Sequence, residues 1–148
     1  MMKFILRLFY TLIFVFSFIE LAYPKTTKII FFGDSLIAGY GLINEDNFVS
    51  QLKQKTKKNK MNNVTLFNSG VSGETSSGLL NRFKWVLEDN YDGVIILIGA
   101  NDALRGIDPS YTRQNIEKIL SYLKKEQIPT MLIGMKAPNN LGEIYVNE

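Results

Sequence analysis

The chain has 148 residues, 46% hydrophobic and 21% charged, the composition of a globular domain rather than a disordered segment, and its length suits one domain. Its net charge of +3 falls to +2 without the leader residues Lys3, Arg7 and Glu20, which is too small to make nucleic acid or an anionic membrane the main partner. Cysteine and histidine are both absent, which excludes disulfides, thiolate metal sites and a Cys nucleophile and removes the commonest general base and metal ligand.

Residues 1–23 read as a leader outside the fold. Lys3 and Arg7 give a positive start, and residues 8–19 form a nearly unbroken apolar run of 12 residues, short for a membrane span. This is the pattern of a secretory signal peptide; an uncleaved N-terminal anchor is the alternative. Either way the domain, residues 24–148, is expected to be exported, periplasmic or secreted.

The apolar run 29–32 reads as a buried strand that stops at Gly33-Asp34-Ser35. A helix starting just after it leaves two readings of Ser35. One is a helix cap; the other is a nucleophile among free backbone N–H groups at a positive helix end. After the loop 39–47, Phe48, Val49, Leu52 and Thr56 fall at helical spacing and predict a helix over 47–58. The lysines at 53, 55, 57, 58 and 60 are a solvated face suited to a helix C-terminus.

Residues 64–67 read as a second strand, ending in the hydroxyl-rich loop Asn68-Ser69-Gly70-Val71-Ser72-Gly73-Glu74-Thr75. Leu79, Leu80, Phe83, Val86 and Leu87 predict a helix over 75–90, capped by Thr75 or Ser76. The β-branched run 93–98 is the strongest strand signal and leads into Gly99-Ala100-Asn101-Asp102. A loop at 103–107 precedes Asp108-Pro109, a helix start with an Asp cap and Pro at the first position. Ile116, Ile119, Leu120 and Leu123 mark that helix's buried face. Residues 129–134 read as a fourth strand, 135–142 as a loop and 143–148 as the beginning of another helix. Strands alternating with helices imply a parallel sheet with right-handed crossovers.

The carboxyl ends of parallel strands share one edge, so the loops holding Ser35, Gly73 and Asn101 can meet. They offer a hydroxyl, a backbone N–H on a residue without Cβ, and a side-chain amide. These are the parts needed to attack a carbonyl and hold the resulting oxyanion. Singly, each also reads as an ordinary turn former.

These residues resemble the GDSL lipases and esterases of the SGNH hydrolase superfamily. Gly33-Asp34-Ser35-Leu36 is similar to its first block, Gly73 within 68–75 to its glycine block, and Gly99-Ala100-Asn101-Asp102 to its Gly-x-Asn-Asp block. The stretch 99–106 and Ala137-Pro138-Asn139-Asn140-Leu141-Gly142 with Tyr145 resemble the secreted bacterial arylesterase, thioesterase and lysophospholipase branch. The resemblance implies a three-layer α/β/α (flavodoxin-like) sheet ordered 2-1-3-4. It implies Ser35 as nucleophile, with its own N–H, the Gly73 N–H and the Asn101 side chain as oxyanion donors. Gly33, Asp34, Asn68, Gly99 and Asp102 are supporting residues. It implies a small acyl ester or thioester and water as substrates, and no metal or organic cofactor.

The family's fourth block, Asp-x-x-His, is not in this sequence, nor are its fifth strand and final helix. Two expectations follow: a C-terminally truncated esterase, or a natural protein that does without His. In either case little hydrolysis is expected of the 148 residues as they stand, because Ser35 Oγ has no base, together with poor stability from an exposed edge on the fourth strand. A non-catalytic acyl- or glycan-binding module on the same scaffold is the alternative function.

Overall fold

The computed structural model describes residues 25–136. The predicted leader, the 143–148 helix, most of the 135–142 loop and the Ala137–Tyr145 motif lie outside the described residues. Four parallel strands, β1 (Thr27–Gly33), β2 (Val64–Gly70), β3 (Gly93–Leu97) and β4 (Thr130–Leu132), form one sheet in the order β2-β1-β3-β4. The predicted order is thus found. Between the strands run α1 (Ser35–Ala38), a 3-10 turn (Asn44–Asp46), α2 (Phe48–Lys58), α3 (Ser76–Val86), α4 (Ala100–Leu104) and α5 (Pro109–Lys125).

The strand pattern divides the core into two faces, because successive side chains alternate. Ile30, Phe32, Val94 and Ile96 pack with Leu79 and Phe83 of α3 and Ile119 and Leu123 of α5. Phe31 and Leu66 pack on the other face with Ile37 of α1 and Val49 of α2. This is the expected three-layer α/β/α arrangement. Phe83 is edge-on to Tyr122, with ring centroids 5.3 Å apart, which locks α3 against α5. The lysines at 53, 55, 57, 58 and 60 are all exposed, as a solvated face requires. Strand β4 is exposed at all three residues, and it pairs with β3 alone among the described strands.

Helix ends are capped by side chains, at Asp108 and Thr75 as predicted and at Asn47, which the sequence pattern places inside its helix. Asn47 Oδ1 accepts from Ser50 N–H at 2.9 Å. Asp108 accepts from Ser110 N–H at 2.8 Å, with Pro109 at the first helical position. Thr75, not Ser76, caps α3. Several boundaries differ from the sequence expectation: β1 starts earlier, at Thr27, β4 is shorter than the expected 129–134, and α4 takes in Ala103 and Leu104 of the expected 103–107 loop. β2 continues through Asn68 and Ser69 to Gly70, because Phe31–Gly33 offers it ladder partners to the end. α3 stops at Val86 and a 3-10 turn, Leu87–Asp89, carries the chain to Asn90, which has φ +56°. Asn101 and Asp102 lie inside the short helix α4 rather than in a loop.

The register positions the site. Gly33 stands opposite Gly70 on β2 and Leu97 on β3. The three sequence blocks therefore leave the sheet side by side at its carboxyl edge, where open α/β sheets place their ligands.

Candidate active site

The first block is a tight strand-to-helix turn. A Cβ at Gly33 would lie 2.5 Å from the Leu97 carbonyl oxygen, so no larger residue fits there. Asp34 is fully buried, and its Oδ1 accepts from Leu36 N–H at 2.9 Å, making it the N-cap of α1. Its Oδ2 has no partner among the described residues. The cap reading of Ser35 is therefore corrected: the neighbouring carboxylate does that work. Ser35 is the first residue of α1, half-buried, and its hydroxyl makes no hydrogen bond among the described residues. Its carbonyl is occupied, accepting from Gly39 and Tyr40 N–H at 2.9 and 3.0 Å.

The second block is bonded to the first. Val71 N–H donates to the Gly33 carbonyl at 2.9 Å, continuing the sheet one step past β2. Asn68 Nδ2 donates to the Ile37 carbonyl at 2.7 Å, and its Oδ1 accepts from Gly70 N–H at 2.9 Å. A side chain at Gly70 would run into the Ala38 backbone, so β2 and α1 touch through this glycine. Gly73 has φ +79°, in the left-handed region that favours glycine. Its carbonyl accepts from Arg105 Nη2 at 2.7 Å.

The third block is bonded to the second. Asn101 Nδ2 donates to the Glu74 carbonyl at 3.0 Å; the amide carries a second hydrogen that this bond does not use. Asp102, next in α4, is buried and takes three donors: Ser76 N–H at 2.8 Å, Ser76 Oγ at 2.6 Å and Thr112 Oγ1 at 3.2 Å. Asn115 Nδ2 adds a bond to Ser76 Oγ at 3.0 Å. One carboxylate thus ties α4 to the start of α3 and to α5. Gly99, with φ +120°, makes the turn from β3 into α4.

Each sequence-predicted residue (Gly33, Asp34, Ser35, Asn68, Gly73, Gly99, Asn101 and Asp102) lies at this sheet edge, and the hydrogen bonds between blocks join them in one chain. Chemically, the edge presents a free hydroxyl, a glycine N–H and an unspent amide hydrogen. Sequence reasoning offers Ser76 only as a helix cap, not as a partner of Asp102, and misses Arg82, Arg105 and Thr112. No spacing rule pairs Arg82 with Glu74, eight residues apart across a helix start. An apolar groove of about 630 Å³ opens beside Gly99 and Ala100, walled by Ile98, Leu104, Ile116, Leu120, Leu132 and Met135.

Known proteins are similar to this chain in sequence and in fold. The chain is 31% identical over 132 residues to an arylesterase of Vibrio mimicus, covering 88% of this chain and 66% of that protein. It is 31% identical over 114 residues to thioesterase 1/protease 1/lysophospholipase L1 of Escherichia coli (strain K12), covering 76% of this chain and 53% of the relative. The chain therefore spans between about half and two thirds of the length of these curated relatives. The crystal structure of AlinE4, an SGNH-hydrolase family esterase, superposes with a TM-score of 0.77 at 39% identity, covering 83% of this chain and 66% of that one. Residues 31–146 match the GDSL-like Lipase/Acylhydrolase family, and the chain belongs to that family.

Proposed function

We propose that this chain carries the nucleophile and the oxyanion donors of a serine hydrolase acting on carboxylic esters or thioesters. Ser35 Oγ attacks the acyl carbonyl. The carbonyl oxygen becomes an oxyanion that accepts from Ser35 N–H, Gly73 N–H and Asn101 Nδ2. Collapse expels the alcohol or thiol and leaves acyl-Ser35, which water cleaves. No cofactor enters this sequence of steps. The observation that supports it best is the free Ser35 hydroxyl at the edge where the Val71–Gly33 and Asn101–Glu74 bonds hold the other two blocks. The relatives named arylesterase and thioesterase/lysophospholipase supply the substrate classes.

The Ser35 proton needs an acceptor, and these 148 residues contain no His. Loss of a triad base costs on the order of 10⁴-fold or more in rate, so little turnover is expected from the chain alone. The test is reaction with a p-nitrophenyl alkylphosphonate, with and without added imidazole as external base. The expected result is a single phosphonyl adduct on the Ser35 peptide, formed faster with imidazole and absent in Ser35→Ala. No adduct at Ser35 in the presence of imidazole would overturn the reading.

A non-catalytic acyl-binding role draws support from the apolar groove beside Ala100. It predicts fatty-acid binding that Ser35→Ala leaves unchanged and no adduct. The leader pattern of residues 1–23 supports export to the periplasm or the medium, with an uncleaved N-terminal anchor as the alternative, and cell fractionation tests this. Among the described residues no helix is long and apolar enough to cross a membrane.

A further inference from the structure

We propose that Arg82 is a positioning residue for the oxyanion donors: by clamping Ser69 to Glu74 it sets the places of the Gly73 N–H and the Asn101 amide. The inference rests on the serine-hydrolase reading above and names what holds that site in shape.

Glu74 follows Gly73 directly, and its side chain is only 5% exposed. A buried carboxylate is tolerated when it is paired and hydrogen-bonded. Arg82, on the second turn of α3, meets it with a two-pronged contact: Nε to Oε1 at 2.5 Å and Nη2 to Oε2 at 2.7 Å. The same guanidinium donates to Ser69 Oγ at 2.8 Å through Nη1 and to the Ser69 carbonyl at 2.6 Å through Nη2. Four of its five N–H groups are used. The plane lies over the Phe32 ring, 5.4 Å from its centroid, just ahead of the Gly33-Asp34-Ser35 turn.

These contacts close a short loop at both ends. Ser69 lies just before residues 70–73 and Glu74 just after them, with Gly73 between, in the left-handed region. The distance the clamp sets between Ser69 and Glu74 decides where the Gly73 N–H points. The backbone of Glu74 carries the constraint onward, since its carbonyl takes Asn101 Nδ2 at 3.0 Å. One side chain therefore sets two of the three donors, while touching neither Ser35 nor the reacting atoms.

The guanidinium geometry is what matters. A Lys ammonium keeps the charge but cannot make a two-pronged contact and span to Ser69. Arg82→Lys is the discriminating variant, and Glu74→Gln, which removes one acceptor oxygen at nearly constant shape, is the second. Each is compared with the wild-type chain by thermal midpoint, by the amide resonance of Gly73 and the side-chain NH₂ resonances of Asn101, and by the rate of Ser35 phosphonylation in imidazole. In the folded variants the Gly73 and Asn101 signals are expected to shift or broaden while that of Gly93 stays fixed. Labelling is expected to slow by about 10- to 100-fold, short of the about 10²- to 10³-fold for complete loss of one oxyanion donor. Should Arg82→Lys fail to fold, Glu74→Gln gives the same readouts. A lowered midpoint with unmoved Gly73 and Asn101 signals and unchanged labelling would overturn the proposal and leave the hydrolase reading standing. Wild-type Ser35 that never labels, with Gly73 and Asn101 signals that do respond, would uphold the clamp and overturn the hydrolase reading.

Discussion

Replacing Asp102 by Ala is expected to destabilise the fold by about 2–4 kcal/mol. The magnitude follows from its three donors. Bonds to an ionised group contribute about 1.5–3 kcal/mol each, less the cost of burying the charge. Asp102 is 2% exposed, so that cost is large and the net gain is well below the sum. Removal also strands Ser76 N–H, which has no other acceptor among the described residues and sits in a buried residue, at about 1–3 kcal/mol. Ser76 Oγ keeps the Asn115 amide, and half-buried Thr112 can turn to water, so both lose less. Ser76→Ala keeps the backbone bond to Asp102 and loses the hydroxyl's bonds to Asp102 and Asn115, so it is expected to cost about 1–2 kcal/mol. Because the two side chains share a bond, the double variant falls short of the sum by about 1 kcal/mol. The assay is urea unfolding at neutral pH followed by far-UV circular dichroism, since Trp85 is 73% exposed and its fluorescence would report little. Asp102→Ala within about 0.5 kcal/mol of wild type, or strict additivity with Ser76→Ala, would refute the reasoning.

Three further outcomes are expected. Gly70→Ala pushes a methyl into the Ala38 backbone and should cost about 1–3 kcal/mol by overpacking, read from the same unfolding curves; an unchanged midpoint would contradict the close β2–α1 contact. Phe83→Ala empties a site that is 1% exposed between β1, β3, α3 and α5 and should cost about 3–5 kcal/mol, visible as a lowered urea midpoint. Asp92 is held below the usual carboxylate range by its bond to Lys25 Nζ, then by Lys28 N–H. Its stabilising effect is therefore full above that range and lost as pH falls through the lowered value, so Asp92→Asn should be the less stable at neutral pH and equal to wild type in strong acid. Thermal melts across that pH series test this, and a gap that widened on acidification would reverse the assigned sign.

The parts of the fold that were legible in the sequence are those where one physical signal dominates. The run at 93–98 is β-branched and continuous, which only a buried strand uses well, and all of it but Ile98 forms β3. Asp108-Pro109 marks a helix start because an acceptor side chain and a fixed φ suit the first turn. The signal failed where polar residues do something other than turn the chain. Asn68 and Ser69 read as loop formers but complete β2, since Phe31 and Phe32 supply their ladder partners. Asn101 and Asp102 read as a loop but form α4, since Asp102's carboxylate is satisfied by α3 and α5 rather than by its own backbone. Choosing between Asp34 and Ser35 as the cap of α1 needs the carboxylate's direction, which adjacent acceptors in a sequence do not reveal. The Arg82–Glu74 pair is tertiary, and no local rule announces it.

The same bonds separate the two halves of a serine hydrolase's work. Holding an oxyanion requires donors fixed in advance, since their value lies in not having to reorganise as charge develops. Here the backbone and side chains that would do this are fixed from within residues 25–136. Gly33 is bonded to Val71, Glu74 to Arg82 and Asn101, and Asp102 to Ser76 and Thr112. None of these bonds uses a general base. Taking up the Ser35 proton is a different task, one that needs only an acceptor able to reach a hydroxyl that makes no other hydrogen bond among the described residues. The donor half is thus expected to be formed whether or not a base is present. If so, imidazole should accelerate Ser35 phosphonylation without altering the Gly73 and Asn101 resonances, whereas Arg82→Lys should slow it and alter both. A chain whose donor resonances moved when imidazole was added would show instead that base and donors assemble together.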